Sequence, residues 1–169
     1  MYFDEKIETM PRSAMEELQS QRLQQTIKWV QEKSGFYQKK FADSKVALQD
    51  IEVIQDLNKL PFTTKEELIA NAPLGMLTLE MNSVVRIEPI ESLPPLVMAY
   101  TSADIRHSIE ILARCLVAGG LNISSIIQIY EDYFTPIAQG MQYAAEMIGA
   151  TVVPIKVKQL EKQLEVIKK

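Results

Sequence analysis

The sequence predicts an α/β fold in which a helical amino-terminal arm precedes a partial, mainly parallel β-sheet flanked by helices. Three observations carry this. Capped helical patterns fill the first third, short runs of β-forming residues begin only at Val84, and from there such runs alternate with longer helical patterns. That alternation is how parallel strands joined by crossover helices read in a sequence. The change divides the chain into residues 1–83, the arm and short helices, and residues 84–169, the sheet portion, expected to pack as one unit.

In the arm, SAMEELQSQRLQQTIKWVQEKSG is read as a helix opening on Ser13, with Glu16 completing a capping box, and stopping at Gly35. Leu23, Ile27 and Val30 share one narrow face opposite a glutamine-rich side, so the helix is expected to lie across other structure or a second chain rather than form a core alone. A short helix follows in FYQKKF. Another follows Pro61, where Thr63 or Thr64 can accept the free amide hydrogens of the first turn.

In the second part, VVRI and LVMAY are read as strands. YTSADIRHSIEILARCLVAGG spaces Ile105, Ile109, Leu112 and Leu116 along one helical face and ends on Gly119 and Gly120. Ser125 to Tyr130 is a continuous apolar strand, and Thr135 with Pro136 supplies the cap and first position of a helix ending near Gly149. TVVPI and a lysine-rich terminal helix, with Leu160, Leu164 and Ile167 on one face, complete the pattern.

Composition excludes several classes of function. With 47% hydrophobic and 24% charged residues the chain can bury a core and reads as an ordinary globular protein. A net charge of -4 without a basic run gives no footprint for nucleic acid. No apolar run approaches the roughly 20 residues needed to span a bilayer, and the acidic start MYFDEKIETM is unlike a signal peptide, so a cytoplasmic location away from membranes is expected. The single cysteine, Cys115, lies on an apolar helical pattern and is expected to be a small buried hydrophobe. His107 is the only histidine, which excludes a multi-histidine metal cluster; its place on the polar flank predicts a solvated ring. The adjacent acids Glu131 and Asp132 read as hydrated loop residues. No catalytic residue and no metal ligand is assigned.

Six strings, in order and at matching separations, carry a family likeness: IETMPR (7–12), SGFYQKKF (34–41), LPFTTKEEL (60–68), VVRI (84–87), YTSADI (100–105) and GATVVPI (149–155). Through them the chain resembles the amino-terminal part of phenylacetate-CoA ligases, which are adenylate-forming acyl-CoA synthetases. The resemblance implies ATP, magnesium and CoA as cofactors, with phosphates held by a loop resembling SSGTTGKPT between the VVRI-like strand and the YT pair. Here that interval reads EPIESLPPLVMA. Glu88 and Glu91 repel a polyanion, Pro89, Pro94 and Pro95 remove amide donors, and neither glycine nor lysine is present.

The expectation is therefore a truncated, ligase-like protein that binds none of these cofactors, an interaction or regulatory module without ATP-dependent ligase activity of its own. An unfinished sheet exposes an edge and apolar surface, so a homo-oligomer or a partner protein is expected. The enzymatic alternative is a subunit of a split AMP-forming aryl- or acyl-CoA ligase; another is a binding protein for an aromatic acid or acyl-CoA. By the resemblance, Tyr130, Tyr133, Phe134 and Thr135 fall where the ligases line their acyl or aryl pocket. A vestigial pocket there is the alternative to aromatics that merely cover the sheet edge.

Overall fold

The computed structural model describes residues 1–90, 96–130 and 135–154, together with 161, 164 and 165. The chain is a mostly helical α/β protein with two small sheets among the described residues, folded as two compact units: residues 10–102, and residues 103–169 with residues 1–9. The sequence places the onset of strands at 83/84, whereas the units divide between Ser102 and Ala103. The first strand pair thus groups with the helices before it.

In the 10–102 unit, helix α2 (Arg12–Lys33) follows the single turn α1 (Glu5–Glu8) of the other unit. Its expected capping box is not formed. Pro11 occupies the cap position and Glu16 instead accepts from Arg12 Nε at 2.7 Å, because starting the helix at Arg12 puts these two residues one turn apart. The helix also ends before Gly35. Ser34 closes α2 and opens α3 (Gly35–Asp43), its buried hydroxyl accepting from the Tyr37 amide, so Gly35 begins a helix rather than stopping one.

The predicted stripe of α2 finds its counterpart within the unit. Ile27, Phe41 and Ile51 form the buried core, with Leu23, Val30, Tyr37, Val46, Leu48 and Leu60 packed around them. Two hydrogen bonds tie α2 to the 3-10 helix Ile54–Lys59 and the residues before it: the Ile54 amide donates to Ser20 Oγ at 2.9 Å, and Gln24 Nε2 to the Glu52 carbonyl at 2.6 Å. Thr64 caps α4 (Lys65–Ala70) through a complete capping box with Glu67. Thr63, the other candidate, shares a hydrogen bond with the Tyr37 hydroxyl at 3.0 Å.

Strands β1 (Arg86–Ile90) and β2 (Leu96–Tyr100) pair antiparallel, Arg86 opposite Tyr100 and Ile90 opposite Leu96. This corrects the expectation of a mainly parallel sheet: one of the two strand pairs is antiparallel. The reason is length, since the five residues between Ile90 and Leu96 cannot make the crossover of about a dozen that a parallel pair requires.

In the second unit, α5 (Ser102–Ala118) ends as predicted, with Gly120 in the left-handed region at φ 99°. Ala113 and Val117 are its buried residues, while the predicted stripe is half-buried around them. Cys115 is exposed, against expectation, because a step of two residues from Ala113 turns a helix about 200° to its outer side. His107 is exposed as predicted. β3 (Ile126–Ile129) and β4 (Thr151–Pro154) pair parallel across α6 (Pro136–Ile148). Here the βαβ expectation holds. Thr135 caps α6, its side chain accepting from the Ala138 amide at 3.3 Å, Pro136 takes the first position, and Gly149 closes the helix at φ 89°. Of the terminal helix, Glu161, Leu164 and Glu165 are described and helical; Leu160 and Ile167 lie outside the described residues.

Candidate functional site

Two places could carry chemistry: the hairpin formed by β1 and β2, and the carboxyl end of β3. The hairpin register is regular from Arg86↔Tyr100 to Ile90↔Leu96, so the strand read in LVMAY pairs with residues 86–90, which include Glu88 and Pro89 of the interval EPIESLPPLVMA. Pro89 sits inside β1 opposite Val97, tolerated because a strand of a two-stranded sheet has an outer edge where a missing amide hydrogen breaks no ladder bond. Glu88 lies on the same face as Arg86 and accepts from Arg86 Nη1 at 3.2 Å. That ion pair already occupies the one described carboxylate of this interval.

The register leaves residues 91–95, Glu-Ser-Leu-Pro-Pro, as the only chain between the paired ends. Glu91, Pro94 and Pro95 lie outside the described residues, but their chemistry is set. Two of five positions are proline and have no N–H, so three amide donors remain, with an acid among them and no glycine or lysine. A triphosphate needs converging amides and a compensating cation. Residues 91–95 hold three amide donors and no cation, so they do not supply that combination.

At the second place, the end of β3, the predicted residues separate. Tyr130 follows the strand and is 60% exposed. Thr135 is committed to capping α6. Tyr133 and Phe134, with Glu131 and Asp132, lie outside the described residues. A shallow cavity of about 310 Å³ is found instead in the other unit, lined by Ile27, Gln31, Leu48 and Ile51 among others. Among the described residues no cluster of His, Cys, Asp or Glu could hold a metal ion, and no helix is long and apolar enough to cross a membrane.

The strings SGFYQKKF and LPFTTKEEL, separate in sequence, meet in space. Lys40 Nζ donates to both carboxylate oxygens of Glu67 and lies 5.4 Å from the centre of the Phe36 ring. The Lys40 ammonium, helped by the Thr64 amide, holds the Glu67 carboxyl below its ordinary range. Nearby in sequence, Lys59 and the amides of Val53 and Glu52 hold Asp56 at about 2. The local sequence marks Thr63 or Thr64 as the cap, of which Thr64 serves, and nothing local marks the Lys40 partner of Glu67, 27 residues away. The Lys40–Glu67 contact ties two separate segments of the 10–102 unit together.

No protein-family model matches the chain. Its fold is that of part of a CoA ligase: 99% of the chain superposes, with TM-score 0.86 and 20% identity, on 42% of the open conformation of 2-hydroxyisobutyryl-CoA ligase in complex with 2-HIB-AMP and CoA. Within that class, the chain is homologous to the N-terminal portion of phenylacetate-coenzyme A ligases. It is 37% identical over 166 residues to the enzyme of Escherichia coli K12 and 33% identical over 167 residues to that of Aromatoleum evansii. Each alignment takes in 96% of this chain but 38% of the relative, so the chain spans little more than a third of the ligases it matches.

Proposed function

We infer that this chain is a ligase-like module that does not form acyl adenylates by itself and acts through association with protein. The supporting observation is the hairpin register. It confines any phosphate loop to five residues that lack glycine and lysine and carry one acid and two prolines. The walls of a ligase nucleotide site are kept as β1 and β2, while the tip lacks the groups that bind an anion.

The test is ATP–pyrophosphate exchange with phenylacetate and magnesium, run beside the E. coli ligase, together with calorimetry of ATP on the isolated chain. Exchange at background and no heat of binding support the reading. Magnesium-dependent ATP uptake would overturn it.

A second reading, a binding protein for an aromatic acid or acyl-CoA, is favoured by the exposed Tyr130 at the carboxyl end of β3, where open α/β sheets place ligands. A thermal-shift series with phenylacetate and its CoA thioester separates the two, because a ligand of the folded state raises the melting temperature. No shift at saturating ligand dismisses the second reading.

A further inference from the structure

The cavity of about 310 Å³ lies wholly within the 10–102 unit, between α2 and the 3-10 helix Leu48–Asp50 with the residue after it. Its α2 wall is built by Ile27, Lys28, Gln31 and Glu32, which recur at the three- and four-residue steps that put side chains on one helical face. Leu48 and Ile51 form the opposite wall. The size is at the small end of the range for ligand sites, room for one compact molecule. None of these residues belongs to the hairpin or to the end of β3.

The walls combine three chemistries. Ile27 and Ile51 are 5% and 3% exposed and Leu48 is half-buried, so the interior is apolar. Gln31 adds a polar group: its side-chain Oε1 is buried and accepts no hydrogen bond among the described residues, although its backbone carbonyl accepts from Gln38 Nε2 at 2.8 Å. An acceptor left unpaired out of water costs stability, which a ligand donor at this atom recovers. Lys28 and Glu32 line the same cavity while exposed, and supply one charge of each sign. They lie one turn apart, yet among the described residues neither is held in an ion pair. Both charges are open to a ligand.

We propose that this cavity binds an apolar α-amino acid. The ligand's side chain lies against Ile27, Leu48 and Ile51, its ammonium donates to Gln31 Oε1 with Glu32 as counter-charge, and its carboxylate pairs with Lys28. A purely apolar molecule leaves the Gln31 acceptor unpaired, and an aromatic acid such as phenylacetate brings only acceptors to it. A simple amine satisfies Gln31 but sets a like charge beside Lys28. The zwitterion answers all three groups at once. The inference goes beyond the association reading and does not rest on it.

The experiment titrates the 169-residue chain by calorimetry with L-phenylalanine, with phenethylamine, which lacks the carboxylate, and with 3-phenylpropionate, which lacks the ammonium. Phenylalanine is expected to bind at least about tenfold more tightly than either, the loss typical of one charged hydrogen-bond partner. Lys28→Gln narrows the gap between phenylalanine and phenethylamine, and Gln31→Leu weakens phenylalanine at least about tenfold. Gln31→Leu also holds or raises the unfolding midpoint, because it removes the unpaired acceptor, and this separates a lost ligand contact from a lost fold. Neither heat nor a rise in melting temperature up to the solubility limit of phenylalanine, equal affinity for the three ligands, or an affinity indifferent to Lys28 and Gln31 each overturns the proposal. Adenylate formation by the isolated chain would defeat the functional reading without touching this measurement.

Discussion

The two units solve burial differently. Residues 10–102 enclose Ile27, Phe41 and Ile51 and tie distant segments together with side-chain hydrogen bonds such as Tyr37 to Thr63 and Lys40 to Glu67. Among the described residues of the unit of 103–169 with 1–9, the buried side chains are Ala113, Val117, Ala138, Ala144, Ala145 and Ala150; Leu112, Leu116, Met141 and Ile148 are half-buried, while Ile123, Ile126, Tyr143 and Met147 are exposed. Small residues let helix and strand backbones approach closely, yet they remove little apolar area from water. The first unit encloses large side chains, whereas among the described residues the second encloses mostly alanines.

The largest effect is expected from Phe41→Ala. Losing a buried ring and leaving a cavity costs about 3–5 kcal/mol, read as a lower denaturation midpoint. If the midpoint barely moves, the core assigned to the 10–102 unit is not what holds it. Next comes Ala144→Leu, which forces three extra carbons into a position with no exposed surface and costs about 1–3 kcal/mol. A neutral outcome would show that α6 is loosely seated and that the contrast between the units is one of packing quality rather than residue size.

Thr64→Ala removes the cap of α4 and costs about 1 kcal/mol, measured by the same denaturation. The polar ties also predict a response to acid. Asp56 sits at about 2 against an ordinary 3.8, and Glu67 is likewise lowered. Carboxylates depressed in the folded state contribute stability that is complete above their ordinary values and lost as pH falls towards the folded ones. The midpoint should therefore decline between roughly pH 4 and 2, less steeply in Asp56→Asn. An unchanged slope in that variant would remove the Lys59 and amide contacts from the account. The smallest effect is Ile126→Ser, within about 0.5 kcal/mol because the side chain is already in water; a larger loss would mean that the open face of β3 is part of the fold itself.

Local chemistry made much of this legible in advance. Thr135, Pro136 and Gly149 bound α6 as read, and Thr64 caps α4, because cap preferences act within one turn. LVMAY is β2 to the residue. Where two local solutions compete, the reading failed: Ser13 and Glu16 fit a cap motif, but Pro11 starts the helix a turn in which Glu16 meets Arg12. The direction of β1 against β2 is also legible in the sequence, since five intervening residues allow only a hairpin, and the alternation of strands with helices begins only after β2.

By itself the sequence determined the element order, the caps, the family likeness and the chemistry of residues 91–95, which lack the amides and cation that a triphosphate requires. Only the tertiary structure decided that Lys40 meets Glu67, that Cys115 faces outward, and that Tyr143, Met147, Ile123 and Ile126 remain uncovered. Caps and turns depend on neighbours along the chain. Burial depends on which faces find a partner in space, and residue order does not specify that over such separations.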